Sequence, residues 1–345
     1  MWGNNKTDNL TAQIKELIAR ADVQEEKIRK LEEENRQLQE FLSGLTCSDN
    51  LSAKDFSGYA EEQRHKLWHM QHSYDNQISD LILANIEKKC PGNGERLSEL
   101  KNIHKGKRCF VIGNGPSLRA KDLDHLQYEL TFAVNKITEI FPYTQWRPTY
   151  YFVSDSLYFS EQNKRMGQLT EQTCLLLDAK LLDHIDDKWF QKAIWYNHIP
   201  RYNVIPEFSN CPDKMVYEGG SVLYQAIQFA VYMGVSEIYL LGVDNNFKKK
   251  ILPDGREVLD LFSGDPAHFY SSGEEEKQIM ASISTWMDYG NMKSAGIYDP
   301  DDMWKTVSYH CDIHSVKVIN ATRGGELEIF PREFLENIIG EKKII

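Results

Sequence analysis

From residue 107 onward the chain runs as short apolar stretches separated by polar or amphipathic ones. The stretches cover 109–112, 130–134, 150–153, 174–177, 193–195, 237–241 and 316–319. Runs this short suit buried strands. Several are separated by segments of helical length, of which 221–233 is the clearest. Strands alternating with helices predict crossover connections and a mostly parallel sheet covered on both faces. The expected fold class is therefore α/β, Rossmann-like and doubly wound. Between 245 and 306 the pattern turns irregular and polar, with Pro253, Gly255, Gly264, Pro266 and Gly273. A long insertion after a strand end suits a lid or acceptor loop.

The first 105 residues follow another pattern. Ile14, Leu17, Ala21, Gln24, Ile28, Leu31, Asn35, Leu38, Leu42 and Leu45 recur at spacings of three and four. That heptad seam, in a segment rich in Glu, Lys, Arg and Gln, predicts a coiled coil over 10–45. Asn35 at an a position favours a parallel dimer, because a buried amide pairs best with its own copy. Ser43-Gly44 should end this helix, with 47–57 a polar loop. Residues 58–90 read as a helix stopped by Pro91-Gly92-Asn93-Gly94, and 97–104 as a short helix leading on. The expected organisation is an oligomerisation segment at 1–46, a helical linker at 47–105 and a catalytic domain at 106–340.

Composition narrows the function. The 345 residues carry Lys+Arg 40 against Asp+Glu 51, a net charge of -11, which argues against nonspecific nucleic-acid binding. There is no run of 18 apolar residues and no apolar stretch near the start, so neither a spanning helix nor a secretory signal is expected. Six scattered cysteines without a CxxC pair suit a reducing cytoplasm.

In an open parallel sheet, ligands bind beyond the carboxyl ends of the strands. The residues there are Gly113-Asn114-Gly115-Pro116-Ser117, Asn135, Ser154 and Asp155, Asp178, Asn197 and His198, Gly242 and Asp244, and Asn320. Any one of them is ordinary turn chemistry; together they predict a polar cleft along one sheet edge. Gly113 and Gly115 would admit the close approach of a phosphate, with Pro116 starting a helix and Ser117 capping it. Leu118 holds the place of the third glycine of the dinucleotide fingerprint, and no P-loop is present. Glu218-Gly219-Gly220-Ser221 opens the 221–233 helix and is a second candidate anion site. His268, with Phe269 and Tyr270 in the long insertion, is a candidate general base. His310, Cys311, Asp312 and His314 lack a second ligand cluster and are expected in a loop or edge before the last strand. Asp122-Leu123-Asp124 and Asp299, Asp301 and Asp302 are expected on the surface.

The stretch Phe110-Val-Ile-Gly-Asn-Gly-Pro-Ser-Leu118 resembles the opening motif of the bacterial sialyltransferases of glycosyltransferase family 42. It also resembles the related family named after a hydroxymethylpterin diphosphokinase, which includes motility accessory factors. Ala133-Val-Asn135, the Gly-Gly-Ser helix start, the stretch from Val235 to Gly-Val-Asp244, and Ile319-Asn-Ala-Thr-Arg-Gly-Gly325 followed by Ile329-Phe-Pro331 add to the likeness. It covers roughly 97–335.

The resemblance implies a Rossmann-like transferase using a CMP-activated acidic sugar. Asn114 and Ser117 would lie near the nucleotide, with Asn135 near the nucleotide-sugar, Ser221 near the donor and Asp244 at its strand end. Asp155 stands where the family has an asparagine, and His268 is the one histidine left of a loop pair. The expected donor-binding residues are Gly113, Asn114, Gly115, Ser117, Asn135, Asp155, Gly220, Ser221 and Asp244, with His268 catalytic. No metal and no cofactor beyond the CMP-sugar donor are expected.

The expected function is transfer of an acidic, sialic-acid-like sugar to a surface glycan or glycolipid. It would be performed by a cytoplasmic homo-oligomer, with peripheral membrane association at the inner face. One alternative is a Mg²⁺-dependent pterin pyrophosphokinase, with carboxylates such as Asp155 and Asp244 holding the metal. The other is a noncatalytic scaffold assembled through its coiled coil.

Overall fold

A computed structural model of the chain describes residues 52–154, 165–183, 185, 187–199, 206–246, 249–251, 257–259, 268–270 and 300–340. The 10–45 heptads and Asp155 lie outside these residues. Residues up to Lys89 form one compact unit and residues from Cys90 onward a second.

The first unit is described as one helix, α1 (Ser52–Lys89). It begins inside the stretch expected to be loop and stops before Pro91, as the breaker cluster predicts. The second unit opens with α2 (Asn93–Glu99), one turn earlier than expected. Gly92 supplies the left-handed residue at its N-cap.

There follow β1 (Arg108–Ile112), α3 (Ala120–Asp124), β2 (Thr131–Val134), β3 (Tyr150–Val153), β4 (Cys174–Asp178), α4 (Asp187–Phe190) and β5 (Ile194–Tyr196). Next come β6 (His198–Ile199), β7 (Val216–Tyr217), α5 (Val222–Tyr232), β8 (Glu237–Leu241), β9 (Lys249–Ile251) and β10 (Glu257–Leu259). The last elements are α6 (Pro300–Ile313), β11 (Lys317–Asn320) and α7 (Leu335–Ile339). All seven apolar runs became the seven strands of one sheet, in the order β11-β8-β1-β2-β3-β4-β5. Every pairing in it is parallel. Its inner strands are buried on both faces, which is why they read as continuous apolar runs rather than alternations.

Helix α5 is buried almost all round and packs across β1, β2 and β3. Its Gln228, fully buried, accepts from the Ser209 and Tyr217 amides and donates to the Tyr217 and Tyr224 carbonyls. The side chain thereby fixes the small β6–β7 pair against the helix.

The described part of the 245–306 insertion contains the β9–β10 antiparallel pair and the start of α6, so it is more ordered than its composition suggests. His310, Cys311 and Asp312 lie in α6 rather than in a loop. His310 stacks on Phe208, and Cys311 is buried. Asp122 is also not a surface residue. It is buried in α3 and accepts from Nε and Nη2 of Arg323, one on each carboxylate oxygen. Among the described residues no helix is long and apolar enough to cross a membrane.

Candidate functional site

The chain leaves β1 toward β2 on one side of the sheet and later returns to β8 on the other. The order therefore reverses between β1 and β8, and the crevice beyond that point is where an open α/β sheet binds ligands. A cleft lies there. Asn114 and Gly115 after β1, Val134 and Asn135 at the end of β2, and Gly242 to Asn246 after β8 form its floor. Gly219 to Leu223 at the start of α5, His268, Tyr270, and Met303 and Trp304 of α6 form its walls. Its space, open mouth included, is about 850 Å³.

The glycine turn and the β8 end hold each other. Ser117 Oγ donates to Asp244 Oδ2 at 2.8 Å, with the Ser117 amide 3.4 Å from the same oxygen. The Gly115 amide donates to the Gly242 carbonyl. A Cβ at Gly115 would fall inside the radius of Asp244 Oδ2 and lie 2.7 Å from Gly242 O. The protein's own contacts therefore already require a side-chain-free position here. Ser117 does not cap a helix. Helix α3 begins at Ala120 after Arg119 and spans five residues. Asp244 is seated in turn from behind: Gly325, at φ 71–74° with its neighbour Gly324, approaches the Asp244 backbone, and the Glu326 amide donates to Asp244 O at 2.7 Å.

Two carboxamides face the cleft with acceptors unmet. Asn114 is 8% exposed, and its Nδ2 donates to the Val134 carbonyl at 3.1 Å, which fixes the orientation of the amide. Its Oδ1 has no hydrogen-bond partner, and neither has Oδ1 of Asn135. Asn135 sits at φ 44°, a left-handed conformation that asparagine tolerates better than most residues. A buried acceptor left unmet costs free energy, so such atoms mark where a ligand's donors belong.

The start of α5 is built as expected in one respect. Ser221 is the N-cap, and its Oγ accepts from the Leu223 amide. The neighbouring amides are not open to an anion, however. Oε1 of Glu218 accepts from Gly219 at 3.0 Å and from Gly220 at 2.7 Å. The other oxygen, Oε2, lies 2.9 Å from Nε2 of His198, and Nδ1 of His198 lies 3.0 Å from Asp178 Oδ2. The Nε2 contact is an ion pair set off the hydrogen-bond line. The histidine side chain is 4% exposed. Burial alone would lower its pKa, but the hydrogen bonds and charges of Asp178 and Glu218 outweigh that and raise it to about 9. The same histidine holds the Glu218 carboxyl below its usual value against the opposing effect of burial.

His268 is exposed at the cleft mouth, its ring stacked on Tyr270 at 4.9 Å. The Phe269 amide donates to the Asn114 carbonyl at 2.8 Å, tying this short segment to the glycine turn. The structure thus gathers Asn114, Gly115, Asn135, Gly220, Ser221, Asp244 and His268 around one cleft, with Gly113 beneath it and Ser117 bound to Asp244.

Glu218 as an internal anion, and Met303 and Trp304, were not anticipated. Trp304 Nε1 donates to Asn245 Oδ1, so α6 also fixes the chain after β8. The strand-end positions of Asp178 and His198 were the available signal for the Glu218 network. Nothing in the pattern marked α6. Among the described lining residues there is no Arg or Lys, and Asp244 is the one carboxylate. No group of three His, Cys, Asp or Glu side chains able to hold a metal occurs among the described residues.

Residues 82–250 match the family model described as 6-hydroxymethylpterin diphosphokinase MptE-like. That stretch contains the glycine turn, Asn135, the start of α5 and Asp244, and the match bears out the resemblance carried by the glycine turn. Among solved structures the chain is similar to a mammalian sialyltransferase in complex with Gal-beta-1-3GalNAc-ortho-nitrophenol. The identity is 13%, the coverage 71% of this chain and 79% of that one, and the TM-score 0.35. It is also similar to the alpha-2,3-sialyltransferase from Campylobacter jejuni in apo form, with 13% identity, 67% and 82% coverage and a TM-score of 0.35. No curated protein matches.

Proposed function

We propose that the cleft binds a nucleotide-activated sugar and that the protein is a glycosyltransferase. One observation carries this reading: Asn114 and Asn135 have unmet acceptors beside the Asp244 carboxylate, and the described lining residues include no Arg or Lys. Such a surface asks for ligand donors. Sugar and ribose hydroxyls and an exocyclic base amine supply them, whereas phosphate oxygens only accept. The resemblance in the glycine turn supports a CMP-linked, sialic-acid-like sugar as the donor. The acceptor would be a hydroxyl of a surface glycan or glycolipid. His268 at the mouth would take the proton from that hydroxyl as it attacks the anomeric carbon and CMP departs.

The panel that tests this is a thermal shift with CMP, CDP, UDP, GDP, ATP and AMP, each with and without Mg²⁺. Stabilisation tracks affinity by mass action. Stabilisation by CMP irrespective of Mg²⁺ is expected; none by any cytidine nucleotide would sink the reading. The family match favours a second one, pyrophosphoryl transfer to a pterin. It requires Mg²⁺ held by carboxylates and predicts stabilisation by ATP that depends on Mg²⁺.

A further inference from the structure

We propose that His198 is a positioning residue of the cleft: as a buried cation between Asp178 and Glu218, it holds Glu218 in the seat that shapes the Gly219–Gly220 wall. Asp178 at the end of β4 and Glu218 after β7 contact its ring; Lys180, with Nζ 3.6 Å from Asp178 Oδ2, and Tyr196 of β5 lie within electrostatic reach of those carboxylates. The tyrosine hydroxyl is already engaged, donating to Gln225 Oε1.

An imidazolium hydrogen-bonds Asp178 through Nδ1 and attracts Glu218 through its charge, whereas a neutral imidazole keeps one N–H and no charge. The neutral ring keeps its proton on Nδ1, because the Asp178 contact is a hydrogen bond and the Glu218 contact is an ion pair only. Loss of the proton therefore releases Glu218. Glu218 is the residue that satisfies the Gly219 and Gly220 amides, and those two glycines line the cleft next to the cap of α5. The catalytic reading of His268 does not use His198. The consequence for ligand binding rests on the function proposed above, but the seating of the wall does not.

Nuclear magnetic resonance on the full chain separates the two. Gly219 is the one glycine of the sequence that follows a glutamate, so a carbonyl-¹³C-Glu, ¹⁵N-Gly sample identifies its amide without full assignment. On titration from about pH 7 to about pH 10.5, the Gly219 amide should move with the same midpoint as the His198 ring, well above the ordinary histidine value of about 6.5. In Glu218→Gln the His198 midpoint should fall and the Gly219 amide should cease to follow it. In His198→Gln the Gly219 amide should stay at its high-pH position throughout.

A Gly219 amide that stays still while His198 titrates, or a His198 midpoint near 6.5, overturns the proposal. If His198→Gln fails to fold, Glu218→Gln and the wild type decide alone. CMP affinity, measured by calorimetry on the same samples, should weaken about tenfold across the titration in the wild type and not in His198→Gln. Absence of CMP binding at every pH would refute the function proposed above while the amide titration still decides the role of His198. CMP affinity unchanged across the titration, with the amide moving, would overturn the part of the proposal that ties the wall to the ligand.

Discussion

The cleft floor depends on single atoms. Gly115→Ala places a methyl group against Asp244 Oδ2 and Gly242 O. We expect it to lower stability by about 1–3 kcal/mol, the usual cost of overpacking, as a lowered midpoint in denaturant. A variant that kept full stability and lost only ligand affinity would make the approach of a ligand, not the contact with Asp244, the reason for this glycine. His268 carries a different expectation. It is exposed and its neighbours Phe269 and Tyr270 hold the segment, so His268→Ala should leave the fold and CMP binding nearly intact. It should lower kcat by roughly 10²–10⁴-fold. Turnover close to that of the wild type would remove the base and leave Tyr270 to be tried.

At the scale of elements, the unit that ties the cleft wall to the core is β6, β7 and the start of α5. Gln228 fastens Tyr217, Tyr217 precedes Glu218, and Glu218 meets His198 of β6. This unit carries a pH dependence whose sign follows from the raised histidine. A folded pKa of about 9 against 6.5 unfolded contributes stability that is full below pH 6.5 and is lost as pH rises through 9. Chemical denaturation of the wild type should therefore show a loss on the order of 2–3 kcal/mol between those limits. His198→Gln should not show that loss, and equal slopes in the two proteins would refute the charge assignment.

The same region shows what the sequence could and could not disclose. Strands buried on both faces are legible because continuous apolar runs have few other uses, and all seven runs were found within a residue or two. The strand-end rule then placed Asn114, Asn135 and Asp244 by position alone. What stayed hidden was pairing. Whether a Gly-Gly-Ser helix start is open to an anion depends on where the preceding Glu218 points, and that is decided by His198, twenty residues earlier. Asp122 looked like a solvated carboxylate because its partner Arg323 lies two hundred residues away. Periodicity reports burial of apolar groups and is silent about which polar groups meet.

At the scale of the molecule, every described lining residue of the cleft comes from β1 onward, within the unit that begins at Cys90. The sheet is complete within it, and its last strand, β11, pairs with β8 inside the same unit. Arg323, just after β11, closes on Asp122 and Glu336. Folding and nucleotide binding should therefore be properties of residues 90–345, while the heptads at 10–45 should supply self-association. The two expectations separate by truncation. The full chain should scatter light as a dimer or larger at micromolar concentration, and a chain starting at Cys90 should be monomeric with the same CMP affinity. A full chain that is monomeric would remove the coiled coil, Asn35 and its pairing with it. A truncated chain that is folded and monomeric but no longer binds CMP would show that the cleft needs the amino-terminal unit, against its confinement to residues 90–345.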